Sequence, residues 1–282
     1  MTTTRQSTEI AHDERFEFGK NWQRFLSTLD EQRIEKAEAA LIEMLAMDNL
    51  KGQSFLDVGC GSGLSSLVAR RLGARVHSFD YDPEAVACAL ALKQRYAPSD
   101  PNWTIEQGSV LDREYLQSLG QFDIVYSWGV LHHTGQMWQA LANVTLPLAP
   151  NGLLYIAIYN DRPVLSRLWL VVKKTYNQLP SFLKVPFVIL VMIPNESITW
   201  LTSLLMLRPG RYFRSWTESK NRGMSKWHDW VDWVGGYPYE TALPEKIFDY
   251  YYKQGFVLTR LKTGGGGLGN NEYIFKKAEG HV

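Results

Sequence analysis

The stretch "FLDVGCGSGLSS", residues 55–66, decides the fold. It opens as a short apolar run and closes as the start of a helix. Gly59, Gly61 and Gly63 stand at the join. Glycine tolerates positive φ and lets the backbone turn sharply and approach a ligand closely. A strand, a glycine turn and a helix are therefore expected here. Asp57 sits just before the glycines, and Asp80 ends the next apolar run, 17 residues beyond Gly63. A carboxylate at that second strand end is placed to accept two ribose hydroxyls. A glycine turn alone serves several nucleotide-binding enzymes, so the rest of the chain must narrow the choice.

Outward from that turn the sequence alternates. "SFLDVG", "RVHSFD", "WTIEQGS", "FDIVYSW" and "GLLYIAIYN" read as strands. "GLSSLVARRLG", "PEAVACALALKQRY" (Pro83 at its first turn) and the segment from Met137 read as helices between them. Strands alternating with helices predict a mostly parallel, doubly wound sheet. Before it, residues 31–47 read as an amphipathic helix, with Ile34, Ala37, Leu41 and Met44 on one stripe and Asp30 as its cap. After Asn160 the alternation stops. Residues 164–179 carry a helical stripe of Leu165, Leu168, Trp169, Val172, Tyr176 and Leu179, and an aromatic-rich section runs on to about residue 240. A helix, "PEKIFDYYYKQG", and two strands, "FVLTRLK" and "NEYIFKK", joined by a glycine run, close the chain. The expected division is an arm and helix (1–49), a nucleotide-binding core (50–160), a helical insertion (161–240) and a sheet completion (241–282).

Composition excludes several classes. Lys and Arg total 30 against 29 Asp and Glu, a formal net charge of +1, so no strong nucleic-acid field is expected, although a local basic patch lies around Arg211–Arg222. Cys60 and Cys88 form no disulfide framework, and the start lacks the apolar core of a secretion signal, which fits a cytoplasmic protein. The apolar runs "FVILVMI" (187–193) and "ITWLTSLLML" (198–207) both fall short of the roughly 20 residues a bilayer span needs. Pro194, Asn195 and Glu196 divide them into two expected segments. These form a cover over the core, with peripheral membrane contact or an apolar substrate as the alternatives. No Cys/His spacing suggests a metal site.

The chain resembles the class I S-adenosylmethionine-dependent methyltransferases. "DVGCGSG" is similar to their first motif, "FDYD" (79–82) to the second, "GSVLD" (108–112) to the third and "FDIVYSWGVLHH" (122–133) to the fourth. "LAPNGLLYI" (148–156) resembles the turn into their fifth strand. The resemblance covers about residues 50–160. It implies a Rossmann-like, seven-stranded, mostly parallel sheet with an antiparallel last strand and helices on both faces. The helical insertion would precede the last helix–strand–strand unit. It also implies S-adenosyl-L-methionine as cofactor and S-adenosyl-L-homocysteine as product. The backbone of Gly59 and Gly61 would lie against the methionine part, in the turn that Gly63 closes and Cys60 fills. Asp57 would organise that loop or reach the amino group. Asp80 would hold the ribose, Tyr81 would lie beside the adenine, Ser109 and Val110 would meet its edge, and Trp128 would lie under the methionine or the adenine side. In "FEFGKNW" (16–22), Phe18 and Trp22 would form part of a lid over the cofactor, with plain anchoring of the N-terminal arm as the alternative.

Methyl transfer is an in-line displacement, so catalysis can be largely positioning, with a base where the acceptor loses a proton. His132 and His133 stand where the fourth strand ends, His133 being the favoured base, with a structural histidine bonded to a backbone carbonyl as the alternative for either. The nucleobase-type Asn/Asp-Pro-Pro-Tyr is replaced by "YSWG", and no Pro-Cys occurs, which weakens nucleic-acid methylation. The expected acceptor is small or lipid-like and methylated at oxygen. Carbon or nitrogen methylation of a metabolite, RNA modification and a non-catalytic cofactor-binding regulator are the alternatives. The insertion leaves the fifth strand through Tyr159 and Asn160, at the sheet edge where α/β folds bind ligands. Its stretch "WHDWVDWVGGYPYE" (227–240) offers His228, Asp229, Asp232, Tyr237 and Glu240 as polar groups, with Trp233 as a wall. The glycine run Gly264–Gly267 is expected to approach the same cavity.

Overall fold

The computed structural model describes residues 16, 22, 25–27, 29–205, 226–265 and 267–277. Phe18 and the basic patch at 211–222 lie outside these residues, as do the side chains of His228 and Asp229. Seven strands form one sheet: β1 (Ser54–Val58), β2 (Arg75–Asp80), β3 (Trp103–Gln107), β4 (Phe122–Trp128), β5 (Leu148–Tyr159), β6 (Phe256–Lys262) and β7 (Asn270–Lys277). Their spatial order is β3-β2-β1-β4-β5-β7-β6. The first five pair in parallel, and β7 runs antiparallel between β5 and β6. The strand order reverses beside β1, where open α/β sheets leave a crevice at their carboxyl ends.

Side chains alternate across the strands, and two cores result. Leu56, Val58, Val125, Leu154 and Ile156 pack on one face with α4 (Arg113–Ser118), α5 (Met137–Asn143) and α9 (Pro244–Tyr252). Phe55, Ile124, Tyr126 and Tyr155 pack on the other with α1 (Glu31–Leu45), α2 (Leu64–Arg71) and α3 (Pro83–Tyr96). Local capping agrees with the sequence. The Asp30 carboxylate accepts from Arg33 N at 2.9 Å at the start of α1, and Asp82 accepts from Glu84 N ahead of Pro83 in α3.

The insertion is helical: α6 (Pro163–Gln178), α7 (Ser181–Leu205) and α8 (Lys226–Gly235). Its small core gathers Tyr176, Val188, Met192, Trp230 and Val234. Two expectations are corrected here. The apolar runs around Pro194 are one helix rather than two segments, because α7 passes through both Pro186 and Pro194. Proline removes one backbone donor, but Leu190 is 69% exposed, so water can reach the carbonyl that loses its partner. The stripe on α6 is also rotated. Leu165 and Leu168 are exposed, whereas Lys173 and Tyr176 are buried. No described helix is long and apolar enough to cross a membrane.

Candidate active site

The glycine turn is held by main-chain bonds. The N–H groups of Gly59 and Cys60 both donate to the Phe79 carbonyl, at 2.9 and 3.0 Å, which ties the turn to the end of β2. Asp80, the last residue of β2, closes the arrangement. Its Oδ2 accepts from Gly61 N at 2.9 Å and its Oδ1 from Asp82 N at 3.0 Å. Each carboxylate oxygen has a second lone pair, so both can still accept a ligand hydroxyl. Gly59 has φ +76°, and a Cβ there would stand 2.4 Å from Val130 Cγ1, so only glycine fits. Trp22 lies against Gly61, 3.0 Å from where a Cβ would be. Trp22, one of the two residues expected in a lid, packs on the turn.

Asp57 is buried one residue before this turn. Its Oδ2 accepts from the Ser66 hydroxyl at 2.5 Å. Ser66 in turn meets Ser78 at 2.7 Å, and Trp103 Nε1 donates to Ser78 at 2.9 Å. The chain links β1, α2, β2 and β3 beneath the loop. Of the two roles expected for Asp57, organising the loop is the one its contacts support.

One cavity of about 1350 Å³ runs from this turn to the insertion. Asp57, Gly59, Cys60, Asp80, Tyr81, Ser109, Val110 and Trp128 line one end, with Trp22. His133, Tyr159, Asp232, Trp233 and Tyr237 line the other. Pockets for one small ligand span roughly 300–1,000 Å³, so this volume suits two ligands side by side.

Tyr159 organises the second end. Its ring centroid is 4.0 Å from that of His132, 5.4 Å from His133, 5.5 Å from Trp233 and 5.6 Å from Tyr239. His133 Nδ1 lies 2.6 Å from the Pro238 carbonyl. Only a donor satisfies that oxygen, so Nδ1 carries the hydrogen and Nε2 keeps the lone pair. Phe16 pins the arm to the insertion, with its N–H donating to the Tyr237 carbonyl at 2.9 Å and its ring beneath Gly235.

Residues 56–154 match the family model for a methyltransferase domain. This chain carries a class I S-adenosylmethionine-dependent methyltransferase domain. It is similar to the mitochondrial ubiquinone biosynthesis O-methyltransferase of Schizosaccharomyces pombe, 36% identical over 121 residues, covering 42% of this chain and 41% of that one. The ubiquinone biosynthesis O-methyltransferase of Xanthomonas oryzae is 30% identical over 141 residues, covering 50% and 54%. The matches span about half the length of these curated relatives, or less. Among solved structures, magnesium protoporphyrin IX methyltransferase from Synechocystis with bound S-adenosylhomocysteine superposes with a TM-score of 0.54. It is 15% identical, with 92% of this chain and 94% of that one covered, and establishes a shared fold.

Within this domain the residues present fit S-adenosylmethionine: a glycine cradle that a Cβ would fill, and a carboxylate at the strand end beside it. Burial raises the Asp80 carboxyl to about 6, partly offset by the Asp82 and Gly61 N–H donors. Burial raises Asp57 to about 7, partly offset by Ser66. At the other end His133 is lowered to about 3, first by burial and then by the charge of Lys173. Lys173 is fully buried on α6, donates to the Trp233 carbonyl, and has its Nζ 5.0 Å from the Trp233 ring centroid and 4.8 Å from that of Tyr239. Burial lowers it to about 7, against the pull of Asp232.

Several expected site residues fall elsewhere. His132 is fully buried behind His133 and does not line the cavity, because its ring packs on Tyr159. Asn160 is spent on the hairpin, donating to the Gly267 carbonyl at 2.8 Å and accepting from Asn271 Nδ2 at 3.2 Å. Glu240 accepts from Met137 N at 2.9 Å at the start of α5 and stands off the cavity. Of the glycine run, the described Gly264, Gly265 and Gly267 are not part of the wall, whereas Lys262, Asn270 and Glu272, from the strands flanking it, are. Among the described residues no cluster of metal-binding side chains occurs. The sequence reading missed Lys173, the pairing of Tyr155 with Glu272, and the contribution of α7 through Met192 and Glu196. The apolar run 187–193 contained Met192. No signal existed for Lys173.

Proposed function

We propose that this methyltransferase moves a methyl group from S-adenosylmethionine to a hydroxyl oxygen of a small, lipid-like acceptor. The observation that supports it best is the single cavity joining the Asp80 end to His133 and an aromatic wall. The curated relatives named as O-methyltransferases of ubiquinone biosynthesis support the choice of oxygen.

Bound S-adenosylmethionine supplies a methyl group already activated on a sulfonium. Asp80 would hold the ribose hydroxyls through its remaining lone pairs, Tyr81, Ser109 and Val110 would receive the adenine, and Trp128 would stand alongside. Trp22 excludes water from above the glycine turn. Trp233, Tyr159 and Tyr237 orient an apolar acceptor, with Asp232 as the polar group beside them. His133 Nε2 would accept the hydrogen bond of the acceptor hydroxyl and take its proton, while the methyl carbon exchanges its bond to sulfur for one to that oxygen and S-adenosylhomocysteine leaves. The Pro238 carbonyl fixes the ring for that task. A histidine lowered to about 3 is a weak base, so much of the rate comes from alignment. Asp57, through Ser66, supports the loop.

The protein is proposed to work in the cytoplasm, with the insertion as a peripheral membrane contact. Incubating the protein and labelled methyl donor with separated lipid, metabolite, RNA and protein fractions tests the function. Label on an oxygen of a lipid-like molecule is expected. Label confined to RNA or protein would overturn the reading.

A further inference from the structure

The helical insertion has two sides that differ in what they meet. On α7, Val188, Met192 and Glu196 turn inward, and the last two line the cavity. The opposite side of the same helix is apolar too, yet it faces outward. Phe182 is 77% exposed and Leu190 69%, with Ile189, Ile193 and Leu201 exposed beside them. On α6, Val164 is 81% exposed and Val171 61%. Apolar side chains exposed at helical spacing on two neighbouring helices make a patch of the kind that soluble monomers rarely leave open.

The exposed charges along α6 and α7 share one sign. Arg162, Arg167 and Lys174 are exposed and Lys184 is half-buried. Among the described side chains of residues 162–205 the one acid, Glu196, is buried. An apolar face fringed by cations suits the headgroup boundary of an anionic bilayer. It suits a second copy of this chain poorly, since a two-fold contact places the same patch on itself and brings like charges together. No described helix is long and apolar enough to span, so the face would lie on the bilayer.

We propose that the outer faces of α6 and α7 dock on an anionic lipid surface, which makes α7 the wall between the bilayer and the cavity. This deepens the peripheral contact proposed above and does not depend on methyl transfer. A lipid-like acceptor would then reach His133 past α7 without crossing bulk water.

Co-sedimentation of the full chain with vesicles tests it. Phosphatidylcholine vesicles with about 30% phosphatidylglycerol should bind at least ~10-fold more protein than phosphatidylcholine alone, and salt should reduce the difference. F182E combined with L190E should lower binding at least ~10-fold, while the melting temperature and S-adenosylmethionine affinity stay at the parent values. R167E combined with K174E should remove the preference for the anionic vesicles. Parent protein that stays in the supernatant, or that binds both vesicles equally, overturns the proposal. So does a dimer in light scattering that F182E and L190E dissociate, because the occupant is then a second copy. Any of these failures leaves the methyl-transfer reading standing, since no acceptor enters the measurement.

Discussion

The glycine turn and the helical insertion hold opposite ends of one cavity by different means. At the turn the backbone does most of the work: Gly59 and Cys60 bond to Phe79, and Gly61 donates to the Asp80 carboxylate. In the insertion side chains do it. Tyr159, Trp233, Tyr237 and His133 shape the wall, and Lys173 sits behind it under two aromatic rings. A backbone-built site accepts one ligand geometry and tolerates few substitutions. A side-chain wall can be reshaped residue by residue, which suits the end proposed to meet the acceptor.

The largest break should come at Gly59. Gly59→Ala adds a methyl 2.4 Å from Val130 on a residue at φ +76°. Clash and backbone strain together should cost about 3 kcal/mol of stability, and cofactor affinity should fall by about 100-fold. Gly52→Ala is the control. It has φ +79° with nothing within 4 Å of the added Cβ, so it should cost about 1 kcal/mol and leave cofactor binding alone. Comparable cofactor losses for the two would remove the case for a tight cradle.

His133→Ala probes the other end. Turnover should drop about 100-fold, with S-adenosylmethionine affinity unchanged. A variant that turns over normally would place His133 with His132, as packing.

Acid should separate the ends. Asp80 must be ionised to accept ribose hydroxyls well, and its carboxyl is raised to about 6. Cofactor affinity should therefore weaken as pH falls through 6, by up to about 10-fold per unit below it. His133 is lowered to about 3 and stays neutral, so turnover at saturating cofactor should not decline between pH 8 and 5 on its account. Binding titrations and rates over that range check both. A turnover step near the ordinary histidine value would contradict the burial of His133.

The smallest effect is expected at Lys173. In the fold its ammonium loses its proton near 7, against an ordinary value of 10.5. Between those values the unfolded chain holds more protons, so folded stability rises with pH. Below 7 both states are charged and the burial cost is fully present. The melting temperature of the parent relative to Lys173→Met should climb by about 5 °C from pH 6.5 to 9. A constant difference would mean that Lys173 keeps its charge throughout.

The two regions were also unequally legible. Strand ends at Asp80 and Trp128 were readable because period, glycine punctuation and a motif all agree there. In the insertion those signals conflict. Pro194 argues for a break that the exposed side of α7 does not need. Leu165 and Leu168 read as buried, yet the buried position is Lys173, held by aromatic rings distant in sequence. Asn160 and Glu240 looked like site residues because they are polar and near the sheet edge. Their side chains instead satisfy backbone groups of the hairpin and of α5, which no local pattern announces.

The most direct measurement is a calorimetric titration of S-adenosylmethionine into three proteins: the parent, Asp80→Ala and Trp233→Ala. The parent should bind. Asp80→Ala should lose two charge-assisted hydrogen bonds, about 2–4 kcal/mol or roughly 30- to 1000-fold in affinity. Trp233→Ala should stay within about 3-fold of the parent. No binding by the parent, equal affinity for Asp80→Ala, or a matching loss for Trp233→Ala would contradict a cavity with the cofactor at the glycine turn and the acceptor under the insertion.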